Sequence, residues 1–317
     1  MSDVDVSAFV VDEEGEGSRL DAFVARRAGL SVREAARLCA EGRVLVDGRR
    51  AEKGRTLDVG ARVEVQRAAT GWLVPQRAPS LAVVYEDDDV VVIDKPASIA
   101  THPLARGEGG TAADAVAARF PEVASASAHP REGGACHRLD TGTSGLIAFA
   151  RSREAWEELR RAFLEGRVGR SYLAVVEGRL AGDFVIDTPI AHHPGDKRRM
   201  VVVTEEGERI RGSPRPARSV VRLVTASERA SLVVVEAHGG RRHQVRVHLA
   251  SAGHPLVGDV LYGGSALESG RHLLHAALLA LPGRAALVAA PPPDFLRAAE
   301  ERGVPAPAVD QAVRRLG

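Results

Sequence analysis

Short β-branched runs recur along most of this chain without a regular helical crossover between them. "LAVVYEDDDVVVIDKP" sets two such runs on either side of an acidic turn, and "SYLAVVEG", "SVVRLV" and "SLVVVEAH" follow. Each has the length and the residue types that pack well on a pleated, half-buried surface. Helical stretches such as "SREAWEELRRAFLEG" separate some of these runs and not others, so the strict βαβ alternation of a doubly wound sheet is missing. The pattern predicts an α+β fold, a mixed and largely antiparallel sheet with flanking helices, over residues 81–304, followed by a C-terminal tail, 305–317. No internal repeat accompanies it.

With 317 residues and 44% hydrophobic content, the chain has apolar side chains enough for one large domain and a small one. No apolar run approaches the roughly 18 residues of a membrane span. The acidic N-terminus lacks the basic start and apolar stretch of a signal peptide, so a soluble cytoplasmic protein with no membrane partner is expected. Cys39 and Cys136 fall in separate segments without a C-x-x-C or metal-ligand spacing, which points to two reduced, buried thiols.

The net charge of +1 conceals an asymmetry: residues 1–16 hold six acids and no base, whereas residues 17–67 hold 12 bases and 7 acids. The first stretch reads as a disordered acidic tail, the second as a small basic module suited to phosphates. The competing explanation is surface colouring by composition, since 40 of the 43 basic residues are arginine. Within the module, "LSVREAARLCAEG" opens with Ser31 and Glu34 in capping-box positions and closes at Gly42, the marks of a helix. Arg33 and Arg37 lie four apart on one face of it, away from the apolar Ala35, Leu38 and Cys39. "RVLVDGRR" then runs into Asp47-Gly48, a type I′ hairpin signal, and "ARVEV" adds a strand. Residues 68–80, with Pro75 and Pro79, read as a linker.

Two segments carry candidate chemistry. In "HRLDTGTSGLIAFAR", Asp140 is either an ordinary turn residue or a reactive group on a loop anchored by the strand Leu146, Ile147, Ala148 and Phe149. In "GGRRHQVRVHLASAGHPLVGD", Val245, Leu249 and Ala252 recur at helical spacing, so a helix starts near Arg242. Arg246 then lies in its early turns, off the apolar stripe, where its charge adds to the positive end of the helix dipole and calls for an anion. His243 and His248, like His192 and His193, form no H-E-x-x-H pattern and read as hydrogen-bonding or core histidines. Phosphate-binding loops of the G-x-x-x-x-G-K-[ST] and G-x-G-x-x-G types are missing, as is a G-x-S-x-G elbow. Nucleotide hydrolysis and dinucleotide redox chemistry therefore lack their usual cradles.

"RLDAFVARRAGLSVREAARLCAEGRVLVDGRR", with the later "VGARVEV", resembles the S-four-like RNA-binding domain. "HRLDTGTSGLIAFAR" resembles the signature of the RluA-type pseudouridine synthases, and "DKPASIATHP", "GRSYLAVVEG" and "GRRHQVRVHLASAGHPLVGDVLYGG" stand in that family's order. The resemblance runs from about residue 81 to Phe295. It implies the pseudouridine synthase fold and isomerisation of a uridine within RNA: the bond from ring nitrogen to sugar is broken and remade at a ring carbon. No atoms are gained or lost, and neither a cofactor nor a metal is implied. The base must leave its stack to be reached.

By position in these motifs, the resemblance makes Asp140 the nucleophile, at the sugar's anomeric carbon or at the uracil ring. It makes Arg246 the partner of Asp140, and Tyr172 a stacking platform for uracil, with proton acceptance as a second role. Arg138 falls near the vacated stack, Arg241 is a phosphate ligand, and His137 and Thr143 are loop scaffolding. Three positions depart from the family's pattern: Ser98 stands where glycine is usual, Arg242 where threonine is frequent, and Gly142 where aspartate is frequent. The N-terminal module makes large-subunit ribosomal RNA the expected target of a monomeric enzyme, with transfer RNA as the alternative. A reading of a different class is a non-catalytic RNA-binding factor of ribosome assembly.

Overall fold

A computed structural model of the chain describes residues 4–52, 54–68, 72–75, 78–204 and 209–317. The chain divides into two compact units, residues 1–71 and 72–317. The first contains β1 (Val4–Val10), α1 (Leu20–Ala28), α2 (Val32–Ala40), β2 (Val44–Val46), β3 (Arg49–Arg50) and β4 (Arg62–Ala68), with sheet order β1-β4-β2-β3. Ser31 caps α2 by accepting the Glu34 N–H at 3.2 Å. Asp47 and Gly48 both take positive φ, 51° and 75°, as a type I′ turn between β2 and β3 requires. Leu20, Phe23, Leu38, Val44 and Val63 form the core beneath the two helices.

Of the acidic stretch 1–16, expected as a disordered tail, Val4–Val10 is instead built into this sheet and Glu13–Gly15 forms a short 3-10 turn. β1 pairs antiparallel with β4 from Val4↔Ala68 to Val10↔Arg62, and Val11 is buried. The alternating "VDVSAFV" is a strand pattern, and the edge of β4 satisfies its backbone groups. Residues 1–3 lie outside the described residues.

The second unit runs β5 (Ala82–Glu86), β6 (Val90–Lys95), α3 (Ala112–Arg119), α4 (Val123–Ala126), β7 (Ser144–Ala150), α5 (Arg153–Leu164), β8 (Gly169–Glu177) and β9 (Phe184–Asp187). It continues with β10 (Ile190–His192), β11 (Met200–Val202), β12 (Arg211–Arg215), β13 (Arg218–Ala226), β14 (Ala230–His238), α6 (Gln244–Ser251), β15 (Leu274–Ala280), β16 (Leu287–Val288), α7 (Pro293–Glu301) and α8 (Ala306–Leu316). Among the described residues the main sheet has the order β5-β6-β7-β15-β8-β14-β13-β9, with β16 beside β15, and β11-β10-β12 form a separate small sheet. In the main sheet only β7 and β15 pair parallel; the other pairings are antiparallel. This is the mixed, largely antiparallel α+β sheet that the irregular order of runs predicts.

Burial on both faces explains why the central strands read as continuous apolar runs rather than alternating ones. Val91, Ile93, Ile147 and Phe149 pack with α3, whereas Val90, Val92, Leu146 and Ala148 pack with Trp156 and Leu159 of α5. Each fully buried Val, Ile, Leu or Phe among these contributes about 1.5–3 kcal/mol. The segment 305–317 is no tail: it forms α8, whose Val309 and Ala312 pack with Phe295 and Ala299 of α7 and with Leu173 and Leu232 of the sheet. Its apolar residues Val309, Ala312, Val313 and Leu316 supply a helical stripe that Pro305 and Pro307 obscured in the sequence. Part of the expected linker 68–80 also packs down. Leu73 is buried in the second unit, and the Val74 N–H donates to Asp114 Oδ1 at 2.6 Å. Residues 69–71 and 76–77 of that segment lie outside the described residues. Cys39 and Cys136 are free and buried. No helix among the described residues is long and apolar enough to cross a membrane.

Candidate active site

Asp140 sits at the mouth of β7, in a loop held on both sides of it. The Thr101 hydroxyl donates to the Leu139 carbonyl at 2.9 Å and accepts the Leu139 N–H at 3.1 Å. The Ser98 N–H donates to the Thr141 carbonyl at 2.8 Å, and the Thr143 N–H to the Asp140 carbonyl at 2.9 Å. Gly145 has φ +115°, and a Cβ there would overlap the Ala276 carbonyl oxygen, so only glycine lets β7 meet β15 at this point. His137 accepts the Ala148 N–H through Nε2 and lies against the Phe163 ring. Burial pushes its pKa down to about 3, leaving a neutral scaffold group. Thr143 is hydrogen-bonded to His272 at 2.8 Å.

Arg246 reaches this loop from α6. The helix starts at Gln244, two residues later than the sequence spacing places it, because His243 takes the left-handed backbone conformation at φ +54°. Gln244 ties the start down by donating to the carbonyls of Arg218 and His238 and accepting the Arg241 N–H. All of Gln244–Leu249 is buried, so the expected stripe of Val245 and Leu249 widens to every face of the helix's first six residues and encloses Arg246, only 7% exposed. A buried guanidinium needs paired anions. Arg246 has two: Nε and Nη2 donate to Asp259 at 2.7 and 2.9 Å, and Nη1 donates to Asp140 Oδ2 at 2.9 Å. The Tyr262 ring lies 5.1 Å from the guanidinium carbon.

Burial raises the pKa of Asp140, but the neighbouring His243 and Arg246, together with the Arg246 hydrogen bond, outweigh it and hold the carboxyl below its ordinary value. His243 is itself lowered by burial to about 4. It is neutral near pH 7, so Arg246 is the cation that persists beside Asp140.

Asp140, Arg246 and Tyr172 line one cleft of about 440 Å³, together with Arg138, Arg170, Arg241 and His243. A larger adjoining space of about 1660 Å³ shares Arg138, Asp140, His243 and Arg246 and adds Arg242, Arg271 and His272. Tyr172 comes from β8, opposite Ala276 of β15. Burial raises its pKa, the Asp140 charge adds to this and Arg170 opposes it, so the side chain stays a phenol at neutral pH.

Residues 89–251 match the RNA pseudouridylate synthase family, and residues 18–63 match the S4 domain. The chain belongs to the RNA pseudouridylate synthase family. Ribosomal large subunit pseudouridine synthase D of Xanthomonas campestris pv. campestris is 38% identical over 259 residues, covering 81% of this chain and 74% of that protein. An uncharacterized RNA pseudouridine synthase of Aquifex aeolicus is 35% identical over 266 residues, 82% of either chain. Among solved structures, human RNA pseudouridylate synthase domain containing 1 superposes with a TM-score of 0.53 at 27% identity, covering 74% of this chain and 95% of that one. Human RNA pseudouridylate synthase domain containing 4 shares the fold, with a TM-score of 0.54 at 22% identity over 70% of this chain and 93% of that one. This pseudouridine synthase is thus an RluA-family enzyme with an S4 RNA-binding domain.

Of the residues singled out in the sequence, Asp140, Tyr172, Arg246, Arg138 and Arg241 share the cleft of this pseudouridine synthase. Arg138 is exposed and makes no hydrogen bond or ion pair among the described residues, whereas Arg241 Nε donates to the Pro216 carbonyl at 3.1 Å. Arg33 and Arg37 are exposed on α2 of the first unit, with Arg37 3.6 Å from Glu41. Sequence reasoning missed Asp259, His243 and Tyr262 as site residues. Asp259 stood inside the quoted "GHPLVGD", and a buried arginine needing a second carboxylate is the signal that could have singled it out.

Proposed function

We propose that this pseudouridine synthase isomerises a uridine of large-subunit ribosomal RNA, with the Asp140 carboxylate as nucleophile on a base swung out of its stack. The pairing of Asp140 with Arg246 on the wall of the cleft carries this reading: it keeps the carboxylate ionised at neutral pH and fixes one oxygen, leaving the other for attack. The carboxylate attacks the anomeric carbon, and the bond to N1 breaks with its electron pair passing to uracil. The ring turns, C5 bonds to the anomeric carbon, and the carboxylate leaves. C5 loses a proton and N1 gains one, so the sum is an isomerisation. Attack at the uracil ring is the alternative that the same carboxylate serves.

Extrusion of the base costs a few kcal/mol. Stacking on Tyr172 offsets about 1–3 kcal/mol of it. The raised pKa of Tyr172 favours this role over proton acceptance. Arg138, free of partners among the described residues and at the cleft edge, substitutes for the missing base in the stack. Arg241, with Arg33 and Arg37 of the S4 domain, meets phosphates. The name of the relative in Xanthomonas campestris pv. campestris supports ribosomal RNA over transfer RNA. A monomer acting in the cytoplasm completes the reading.

Maps of pseudouridine in ribosomal and transfer RNA, from cells with and without the gene, test it. One or more large-subunit ribosomal sites should disappear with the gene. Loss confined to transfer RNA would move the target, and an unchanged map would overturn the proposal.

A further inference from the structure

Tyr262 and His243 form a hydrogen-bonded pair beside Asp140 to which the reaction above gives no task. The Tyr262 hydroxyl accepts the Met200 N–H at 2.8 Å and lies 2.9 Å from His243 Nδ1. An amide N–H only donates, so of these two partners His243 Nδ1 alone can accept the phenol's own hydrogen. Donation there makes Nδ1 the acceptor and puts the imidazole hydrogen on Nε2. Nε2 is the atom that faces Asp140, 3.7 Å from Oδ2 and beyond hydrogen-bond distance. With the phenol donating, an N–H is aimed at the Asp140 carboxylate from a side chain that lines both cavities, with no partner in hydrogen-bond reach among the described residues.

The arrangement is held from several sides. Tyr262 is buried, with the Arg246 and Arg199 guanidinium carbons 5.1 and 5.8 Å from its ring. His243 is fixed by its left-handed backbone ahead of α6, an uncommon conformation for a residue with a side chain. A neutral imidazole does not compete with Arg246 for the Asp140 charge, yet it can donate to charge that appears later.

We propose that His243 is a further catalytic residue: its Nε2–H donates to a carbonyl oxygen of the extruded uracil and stabilises the negative charge that develops as the glycosidic bond breaks, while Tyr262 is the positioning residue that selects the donor tautomer. This rests on the assignment of Asp140 as nucleophile. Such a preorganised donor acts where charge develops and contributes little to ground-state binding.

The test is single-turnover conversion of a large-subunit ribosomal RNA transcript tritiated at uridine C5, the position whose hydrogen is released. His243→Phe keeps a ring and loses the N–H; its rate should fall about 10²-fold, the usual loss for one such donor, with RNA affinity unchanged. His243→Gln, which keeps an N–H, should recover most of that loss. Tyr262→Phe should slow the wild type several-fold but leave His243→Gln unaffected, because an amide has no tautomer to select. A His243→Phe rate close to wild type overturns the inference, as does a Tyr262→Phe effect of equal size in both backgrounds. The second comparison decides the matter even where His243→Phe does not fold. Asp140→Asn, run alongside, separates the two readings: if it is inactive while His243→Phe is active, only this inference falls, and if both are active, both fall.

Discussion

Arg246 Nη1 and Asp140 Oδ2 meet at 2.9 Å across 106 positions of sequence. The same guanidinium is gripped through its other two nitrogens by Asp259, whose side chain is only 2% exposed. Asp259 thus sets the plane of the arginine, and the arginine presents its remaining edge to Asp140. The catalytic carboxylate proposed here is oriented by a buried acid that it does not touch.

Replacing Arg246 by Met leaves the Asp259 carboxylate buried without its cation. Loss of one partner of a buried pair costs about 3–5 kcal/mol, so urea denaturation should show a loss of that order. The same variant should move the acid limb of the pH–rate profile upward. Burial raises the Asp140 pKa while His243 and Arg246 oppose it, so the wild-type limb lies below the ordinary carboxylate range and the limb of Arg246→Met lies higher than that of the wild type. A limb at the same pH in both proteins would contradict the pairing.

Buried histidines make folding acid-sensitive. Burial lowers His102, His272 and His275 from 6.5 to about 4. Between those values the unfolded chain binds more protons than the folded one, so their contribution is complete above pH 6.5 and is lost as pH falls toward 4. The thermal midpoint should fall across that window. His102→Leu should flatten the slope, since both ring nitrogens of this 6% exposed side chain lack hydrogen-bond partners among the described residues.

Ser98 occupies a left-handed backbone position, φ +71°, in the turn that bonds to Thr141. Only its N–H is used in that bond. Ser98→Gly should therefore raise stability by about 1 kcal/mol, read from chemical denaturation, with conversion unchanged.

Local patterns were legible where chemistry is local. Ser31, the Asp47-Gly48 turn, the acidic turn before β6 and the α5 helix all stand where residue types dictate, and the two-sided burial of the central strands follows from their unbroken apolar runs. What was hidden depends on distant partners. β1 is a strand because β4 offers it an edge, and α8 packs because Phe295 and Leu232 await it; neither partner is visible from the acids of 1–16 or the prolines of 305–307. At the site, motif position pointed to Asp140, Tyr172 and Arg246. The left-handed turn at His243 and the Asp259 grip arise from tertiary packing, which no spacing encodes.

Exposed arginines of α2 should act on affinity and not on chemistry. Arg33→Ala with Arg37→Ala should weaken RNA binding and lower its salt dependence, the slope shrinking by about one for each phosphate no longer neutralised. The single-turnover rate at saturating enzyme should not change. A slowed chemical step at saturation would refute a purely phosphate-tracking role.

Asp140→Asn tests the account most directly. The substitution keeps shape and removes the charge that attacks, so the protein should still fold and bind RNA. In cells lacking the gene, the wild-type chain should restore every missing pseudouridine, read nucleotide by nucleotide, and the Asn variant should restore none. Restoration by the Asn variant would contradict the account.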